Sequence, residues 1–137
     1  LAALLGWPVV FGVTVGGVVS NVLSNMMYFL GPVDIIMGPF ANFIAAGLVL
    51  LLWRRRLLAC VIGALPIGFI VGGYLWWFFD VSEVLALMPA WLGMIVSITI
   101  SSLIAVAVIG YSLLTILSRP SVIEPLKSRG LKVLAKS

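Results

Sequence analysis

The amino-acid sequence predicts an all-α, polytopic integral membrane protein. Of its 137 residues, 64% are hydrophobic and only 9% are charged, and the mean hydropathy is +1.31. A soluble domain of this length has too little interior to bury so much apolar surface. The apolar segments are also too long and too numerous for a signal peptide, which has one apolar stretch of about 7–15 residues. We therefore expect mature membrane spans.

Four apolar segments are long enough to cross a hydrocarbon core of about 30 Å, which takes about 20 residues of helix. They cover residues 2–23, 33–53, 57–79 and 88–117. We assign residues 1–118 to one transmembrane domain and residues 119–137 to a basic cytoplasmic tail. The chain begins with Leu and continues at once in apolar sequence, so we expect that the true N-terminus lies upstream of it.

All eight basic residues are predicted to lie on one side of the membrane. Arg54, Arg55 and Arg56 join the second and third spans, and the other five follow the fourth span. Cytoplasmic loops carry the excess of Lys and Arg, so the C-terminus is expected in the cytoplasm. This topology signal, with attraction to anionic membrane lipid, accounts for the net charge of +4 without a nucleic acid partner.

One face of the second span carries polar residues that lipid cannot satisfy. Asp34, Gly38 and Asn42 are spaced i, i+4, i+8 and so share a helical face. An ionisable group at the bilayer centre costs about 2.5–3.5 kcal/mol on insertion scales, so this face should point into protein or water. Gly38 would leave room there for a ligand. We favour a ligand or an internal polar network for Asp34 over a solvated loop.

More polar and aromatic residues gather at the predicted outer side. Asn21 and Asn25 share a face at the end of the first span, and Pro32 and Pro39 predict irregular backbone at the start of the second. The aromatic residues at this side are Tyr28, Tyr74, Trp76, Trp77 and Trp91. Each aromatic ring either anchors its helix at the membrane interface or stacks on a ligand, and the sequence leaves both open.

Small residues recur every fourth position in three spans. The three sets are Gly12, Gly16 and Ser20; Gly68 and Gly72; and Gly93, Ser97, Ser101 and Ala105. Such repeats let membrane helices approach closely. They indicate internal helix packing, and the alternative is a docking face for a second membrane protein.

The residue types that catalysis commonly uses are scarce in this sequence. It has no histidine, one cysteine and no pairing of a nucleophile with a base, so we expect neither an enzyme nor a metal site nor a bound cofactor. Cys60 lies among apolar residues and is interpreted as a packing residue. No glycine-rich loop ends in Gly-Lys-Ser or Gly-Lys-Thr, so an ATP-driven step would need another subunit.

Several of these elements together resemble the QueT family. The elements are Gly12 to Gly17, Asn21, the GPVD of residues 31–34, Gly38, Ala45 and Ala46, the Arg54 to Arg56 turn, a glycine-rich third span and a long fourth span ending in Gly110. The similarity covers roughly residues 5–118. Members are substrate-binding (S) components of energy-coupling factor (ECF) transporters, associated with uptake of queuosine precursors, which are deazapurine bases related to guanine.

The resemblance implies a fold, a location and partners. S components of this kind have about six helices, and an upstream helix and a Ser-Glu-Ala element of the family are not present here. The four visible spans are therefore expected to be the last four of six. The protein would lie in the plasma membrane of a prokaryote and associate with a transmembrane coupling subunit and two cytoplasmic ATPase subunits.

The resemblance also implies roles for single residues. Asp34 would accept hydrogen bonds from a heteroaromatic base, and Asn21, Asn25 and Asn42 would read its edges. Trp76, Trp77 or Trp91 would supply a stacking surface, and Tyr28 lies in the same outer region. Two alternatives stay open: an S component for another vitamin, and a small structural or channel-forming membrane protein. A channel predicts a continuous polar stripe along a span, but the second span is apolar below Asn42.

Overall fold

The computed structural model describes residues 1–28, 31–78, 89–130 and 132–133. These residues contain helices and no β-strand, which confirms the all-α prediction. The helices are α1 (Ala2–Leu5), α2 (Trp7–Tyr28), α3 (Gly31–Leu51), α4 (Arg56–Leu75), α5 (Ala90–Ser102), a π-helix (Leu103–Gly110), α6 (Tyr111–Leu117) and α7 (Pro120–Ser128). In the described part of the chain, four helices are long and apolar enough to cross a membrane: α2, α3, α4 and the continuous helix Ala90–Leu117.

The first predicted span is wrong at both ends. The helix is interrupted at Gly6, whose φ of 77° lies in the left-handed region that favours a residue without Cβ. Pro8 is then the second residue of α2, where its missing N–H costs no helical hydrogen bond. The helix continues past residue 23 to Tyr28, because the polar residues near its end pair with α3 instead of ending α2.

The irregular backbone predicted around the two prolines of the second span is absent from α3, which runs unbroken from Gly31 to Leu51. Pro32 is in the first turn, where a proline is tolerated. Pro39 is inside the helix and buried. A Cβ on Gly17 of α2 would lie 3.5 Å from Cα of Pro39, so the glycine lets α2 pack closely against this part of α3.

The other two spans differ from the prediction mainly in detail. α4 ends at Leu75, four residues before the predicted end of the third span at residue 79. Residue 79 and residue 88, the predicted start of the fourth span, lie outside the described residues. The fourth span includes the eight-residue π-helix, which no sequence pattern had indicated. π-helical turns are rare and are wider than α-helical ones.

Glycines of α4 allow close packing with the helices on both sides. A Cβ on Gly63 would lie 3.1 Å from the carbonyl oxygen of Ala45 in α3, and one on Gly72 would lie 2.6 Å from Cα of Ile95 in α5. A Cβ on Gly68 would overlap Thr99. Gly12 of α2 has no such neighbour within 4 Å. The small residues of α4 therefore pack against neighbouring helices, whereas Gly12 and Gly16 of α2 face open space in this structure.

The basic segments meet at one end of the helix bundle. Leu114 of α6 and Ile123 of α7 are buried in one apolar cluster with Ala3 and Leu4, and Trp53 and Val133 pack against it. Trp53 directly precedes the arginine turn, and α7 follows Arg119. We call this the basic end, and the opposite end, where α3 begins, the Asp34 end.

Candidate functional site

Asp34 is a buried carboxyl group in the first turn of α3. The residue is only 7% exposed. The hydroxyl of Tyr74, at the end of α4, donates a hydrogen bond of 2.5 Å to Oδ1 of Asp34. Within the described residues, Oδ2 of Asp34 has no hydrogen-bond partner. The site thus presents a carboxyl group with one oxygen bound by the protein and a second with acceptor capacity.

Asn21 of α2 completes the contact among three helices. Its Nδ2 donates a hydrogen bond of 2.7 Å to the backbone carbonyl oxygen of Asp34. A Cβ on Gly38 would overlap this amide, so the glycine is what admits Asn21 beside α3. The space over Gly38 that the sequence suggested for a ligand is therefore filled by the protein. We call Asp34, Tyr74 and Asn21 the Asp34 cluster.

Asn25 positions the beginning of α3. Its Oδ1 accepts a hydrogen bond of 2.6 Å from the backbone N–H of Gly31. The first N–H groups of a helix have no partner within the helix, so this contact caps α3 from a neighbouring helix. Gly31 has a φ of 78°, and a Cβ there would lie 3.7 Å from the ring of Phe78. In this structure, Asn25 therefore caps the helix at Gly31, three residues before Asp34.

Two of the predicted tryptophans stack on each other just beyond α4. The rings of Trp76 and Trp77 have centroids 5.3 Å apart and planes 23° apart. Nε1 of Trp76 donates to the carbonyl oxygen of Gly73 at 3.0 Å, which fixes that ring. Trp77 is 77% exposed. The pair follows Tyr74 by two and three residues and so offers an aromatic surface at the same end of the bundle as the Asp34 cluster.

Trp91 and Tyr28 lie in the same end of the bundle without joining the cluster. Trp91 is exposed in the first turn of α5, and Tyr28 is exposed at the last position of α2. Among the described residues, neither makes a side-chain hydrogen bond or ring contact with Asp34 or Tyr74. Their predicted roles in ligand binding remain predictions.

Asn42 is separated from the cluster and faces a different space. It lies two turns beyond Asp34 along α3, and its Nδ2 is 3.0 Å from the position of a Cβ on Gly17. The residue lines a cavity of about 320 Å³ that reaches from the middle of the bundle to the basic end. The other lining residues include Val13 of α2, Ala46 of α3 and Cys60 of α4.

This cavity and the polar groups of the Asp34 cluster therefore lie in different places. The walls of the cavity are almost entirely apolar, with Asn42 as the one polar side chain that the sequence had assigned to ligand binding. Selective recognition of a heteroaromatic base needs several convergent polar groups beside an apolar surface. The Asp34 cluster keeps a carboxyl oxygen with acceptor capacity and lies at the same end of the bundle as the Trp76–Trp77 pair, so we take this end as the candidate binding site.

Tyr74 is the site residue that sequence reasoning did not single out. It was one aromatic among several expected at a membrane interface, and it is 40 residues from Asp34 along the chain. The sequence placed both residues at the same end of the bundle, but the pairing depends on how α3 and α4 are rotated about their axes.

The described residues contain no group of three or more His, Cys, Asp or Glu side chains that could hold a metal ion.

The family model for the QueT transporter matches residues 1–119. No curated protein and no solved structure matches the chain. The matched range includes all four long helices and every residue of the Asp34 cluster.

Proposed function

This chain belongs to the QueT transporter family, and from that premise we propose that it is the substrate-binding (S) component of an ECF importer. Its ligand is a queuosine precursor of the deazaguanine class, captured from outside the cell. The observation that carries the proposal is the buried carboxyl group of Asp34, held by Tyr74 with one oxygen left as an acceptor. The protein acts in transport and not as an enzyme.

The chemistry of the ligand suits this carboxyl group. A guanine-like edge presents a ring N–H beside an exocyclic amine, and both groups are donors. A carboxylate is an acceptor-only group that can take two such donors. Tyr74 holds Asp34 in place through Oδ1, which leaves Oδ2 to accept hydrogen bonds from the ligand. An analogue without these donors would leave a buried acceptor unpaired, and the site would reject it.

The aromatic residues supply the apolar part of the site. Trp77 has an exposed ring beside Trp76, and a flat heteroaromatic ligand would stack on it. Trp91 begins the neighbouring helix at the same end and is the second candidate for a ring contact. Asn21 and Asn25 act indirectly, because their side chains position the backbone of α3. Asn42 is assigned to the deeper cavity.

Uptake by this protein requires partners that supply energy. We infer a transmembrane coupling subunit and two cytoplasmic ATPase subunits in a prokaryotic plasma membrane, with the basic end in the cytoplasm. The open glycine face of α2 supports such an assembly, because Gly12 and Gly16 have no neighbour within 4 Å and would allow close approach of another membrane helix.

The proposal is tested by a ligand screen on the purified full chain in detergent. Thermal unfolding is followed with deazaguanine queuosine precursors, guanine and several vitamins in parallel, because a ligand that binds only the folded state raises its stability. We expect a shift of Tm with a deazaguanine and a smaller or no shift with the vitamins. A shift with one vitamin alone would keep the S-component role and overturn the substrate.

A further inference from the structure

The basic end of the bundle carries a concentration of cations. The described cations there are Arg54, Arg55, Arg56, Arg119, Lys127, Arg129 and Lys132. All of them are exposed except Arg56, which is partly exposed. The only acidic residue described at this end is Glu124, and the described part of the chain contains no ion pair between any of these cations and a carboxylate.

The structure holds the two basic segments together. Trp53 and Val133 pack against the same buried cluster that contains Ile123 of α7. The guanidinium of Arg54 lies 5.7 Å from the centroid of the Trp53 ring, a distance typical of a cation–π contact. The tail cations are therefore held near the arginine turn by apolar contacts.

Exposed apolar surface lies directly beside these cations. Leu51 is 74% exposed just before the arginine turn, and Leu57 is 57% exposed just after it. The apolar cavity of about 320 Å³ also reaches this end, since Cys60, which lines it, is one helical turn from Arg56. Cations next to exposed leucines and an apolar cavity match a molecule that has phosphate and hydrocarbon parts.

We propose that the basic end is a binding site for an anionic phospholipid. Arginine side chains bind the phosphate, with the Arg54–Arg56 turn and the tail each contributing charge, and an acyl chain enters the apolar cavity. An acidic protein surface would also attract the cations, but it would not account for the exposed leucines and the cavity beside them. Basic pockets at the ends of membrane helices bind anionic headgroups in this way.

Native mass spectrometry of the purified full chain tests the proposal. The protein is incubated with phosphatidylglycerol or with phosphatidylcholine of the same acyl chains, and the retained lipid is counted. We expect preferential retention of phosphatidylglycerol. We expect Arg54→Gln/Arg55→Gln to reduce that preference about tenfold or more and Arg54→Lys/Arg55→Lys to keep most of it, because each cation near the surface contributes separately. Equal retention of both lipids by the unmodified chain would overturn the proposal.

Two further variants keep the test decisive. Lys127→Gln/Arg129→Gln changes the tail alone and leaves the loop arginines that orient the helices during insertion. We expect a smaller loss of the phosphatidylglycerol preference with this variant, and no loss with either Gln variant would refute the headgroup site. Ala46→Leu fills the cavity and should reduce retention of both lipids alike, whereas unchanged retention would refute the acyl-chain part. Ligand binding at the Asp34 end is a separate measurement, so this test stands independently.

Discussion

The hydroxyl of Tyr74 and the carboxyl group of Asp34 form a hydrogen bond of 2.5 Å between the end of α4 and the beginning of α3. Asn21 of α2 binds the backbone of the same aspartate, so three helices meet at one residue. A buried carboxyl group needs partners, and here the protein supplies them to one side-chain oxygen and to the backbone. This arrangement holds Asp34 in a fixed position.

Replacing Tyr74 by Phe should lower both stability and ligand affinity. The change removes one donor and leaves the Asp34 carboxyl group buried, which costs about 1–3 kcal/mol. We expect a lower Tm in detergent and about tenfold weaker binding of the deazaguanine. Tyr111→Phe, near the end of the fourth span, is the matched control, because no described side-chain hydrogen bond involves the Tyr111 hydroxyl. Equal loss in both variants would contradict a specific role for Tyr74.

Gly38→Ala should destabilise the protein by displacing Asn21. The new Cβ would overlap the Asn21 amide, which must then leave the carbonyl oxygen of Asp34. We expect a loss of about 1–3 kcal/mol, the usual cost of overpacking. Gly47→Ala in the same helix is the control, because a Cβ there meets nothing within 4 Å. Since Gly costs about 1 kcal/mol relative to Ala in a helix, that variant should be neutral or stabilised.

A double-mutant cycle checks the cause of that loss. If the overlap with Asn21 is responsible, Gly38→Ala should cost less in an Asn21→Ala background than in the unmodified chain. The measurement is thermal unfolding of all four proteins under one detergent condition. Additive losses would mean that Gly38 is needed for another reason.

Gly72 and Gly73 form a matched pair of adjacent positions in α4. A Cβ on Gly72 would lie 2.6 Å from Cα of Ile95, and backbone atoms cannot move aside as a side chain can. A Cβ on Gly73 meets nothing within 4 Å. We expect Gly72→Ala to lower the unfolding free energy by about 2 kcal/mol through separation of α4 from α5, and Gly73→Ala to have little effect. Similar Tm values for the two variants would refute this packing.

Thr99→Val should leave the protein as stable as before or make it more stable. Oγ1 of Thr99 is buried and has no hydrogen-bond partner among the described residues. Valine has nearly the same shape without the hydroxyl, so the substitution removes a desolvation cost of about 1–3 kcal/mol. Thr14→Val is the control, because the Thr14 hydroxyl donates a hydrogen bond of 2.8 Å to the carbonyl oxygen of Val10. A marked drop in Tm for Thr99→Val alone would indicate a partner for the hydroxyl.

The sequence predicted the number and order of the long helices, because lengths of about 20 apolar residues are set by the membrane itself. It did not predict the break at Gly6 or the π-helix at Leu103–Gly110, since both depend on backbone angles that hydropathy does not report. The sequence predicted that Asp34 faces protein or water, and the structure places it buried against other helices. Its partner Tyr74 could not be predicted, because helix rotation sets that contact.

The packing of the polar face of α3 was predicted only in part. Spacing correctly put Asp34, Gly38 and Asn42 on one face, but α2 uses the gap over Gly38 for its own amide. A sequence shows that a glycine leaves room, and it does not show which group occupies that room. For the same reason, the sequence could not tell that Asn25 caps α3 or that Asn42 faces the apolar cavity.

Ligand binding at Asp34 is tested most directly by calorimetric titration of a deazaguanine queuosine precursor into the full chain and into Asp34→Asn. Asparagine keeps the shape but replaces one acceptor oxygen by a donor. Glu124→Gln, the same chemical change at the basic end, is the control. We predict that Asp34→Asn weakens binding about tenfold or more while Glu124→Gln binds as the unmodified chain does. Undiminished binding by a folded Asp34→Asn protein would contradict a binding role for Asp34, and no binding by the unmodified chain would contradict the proposed ligand.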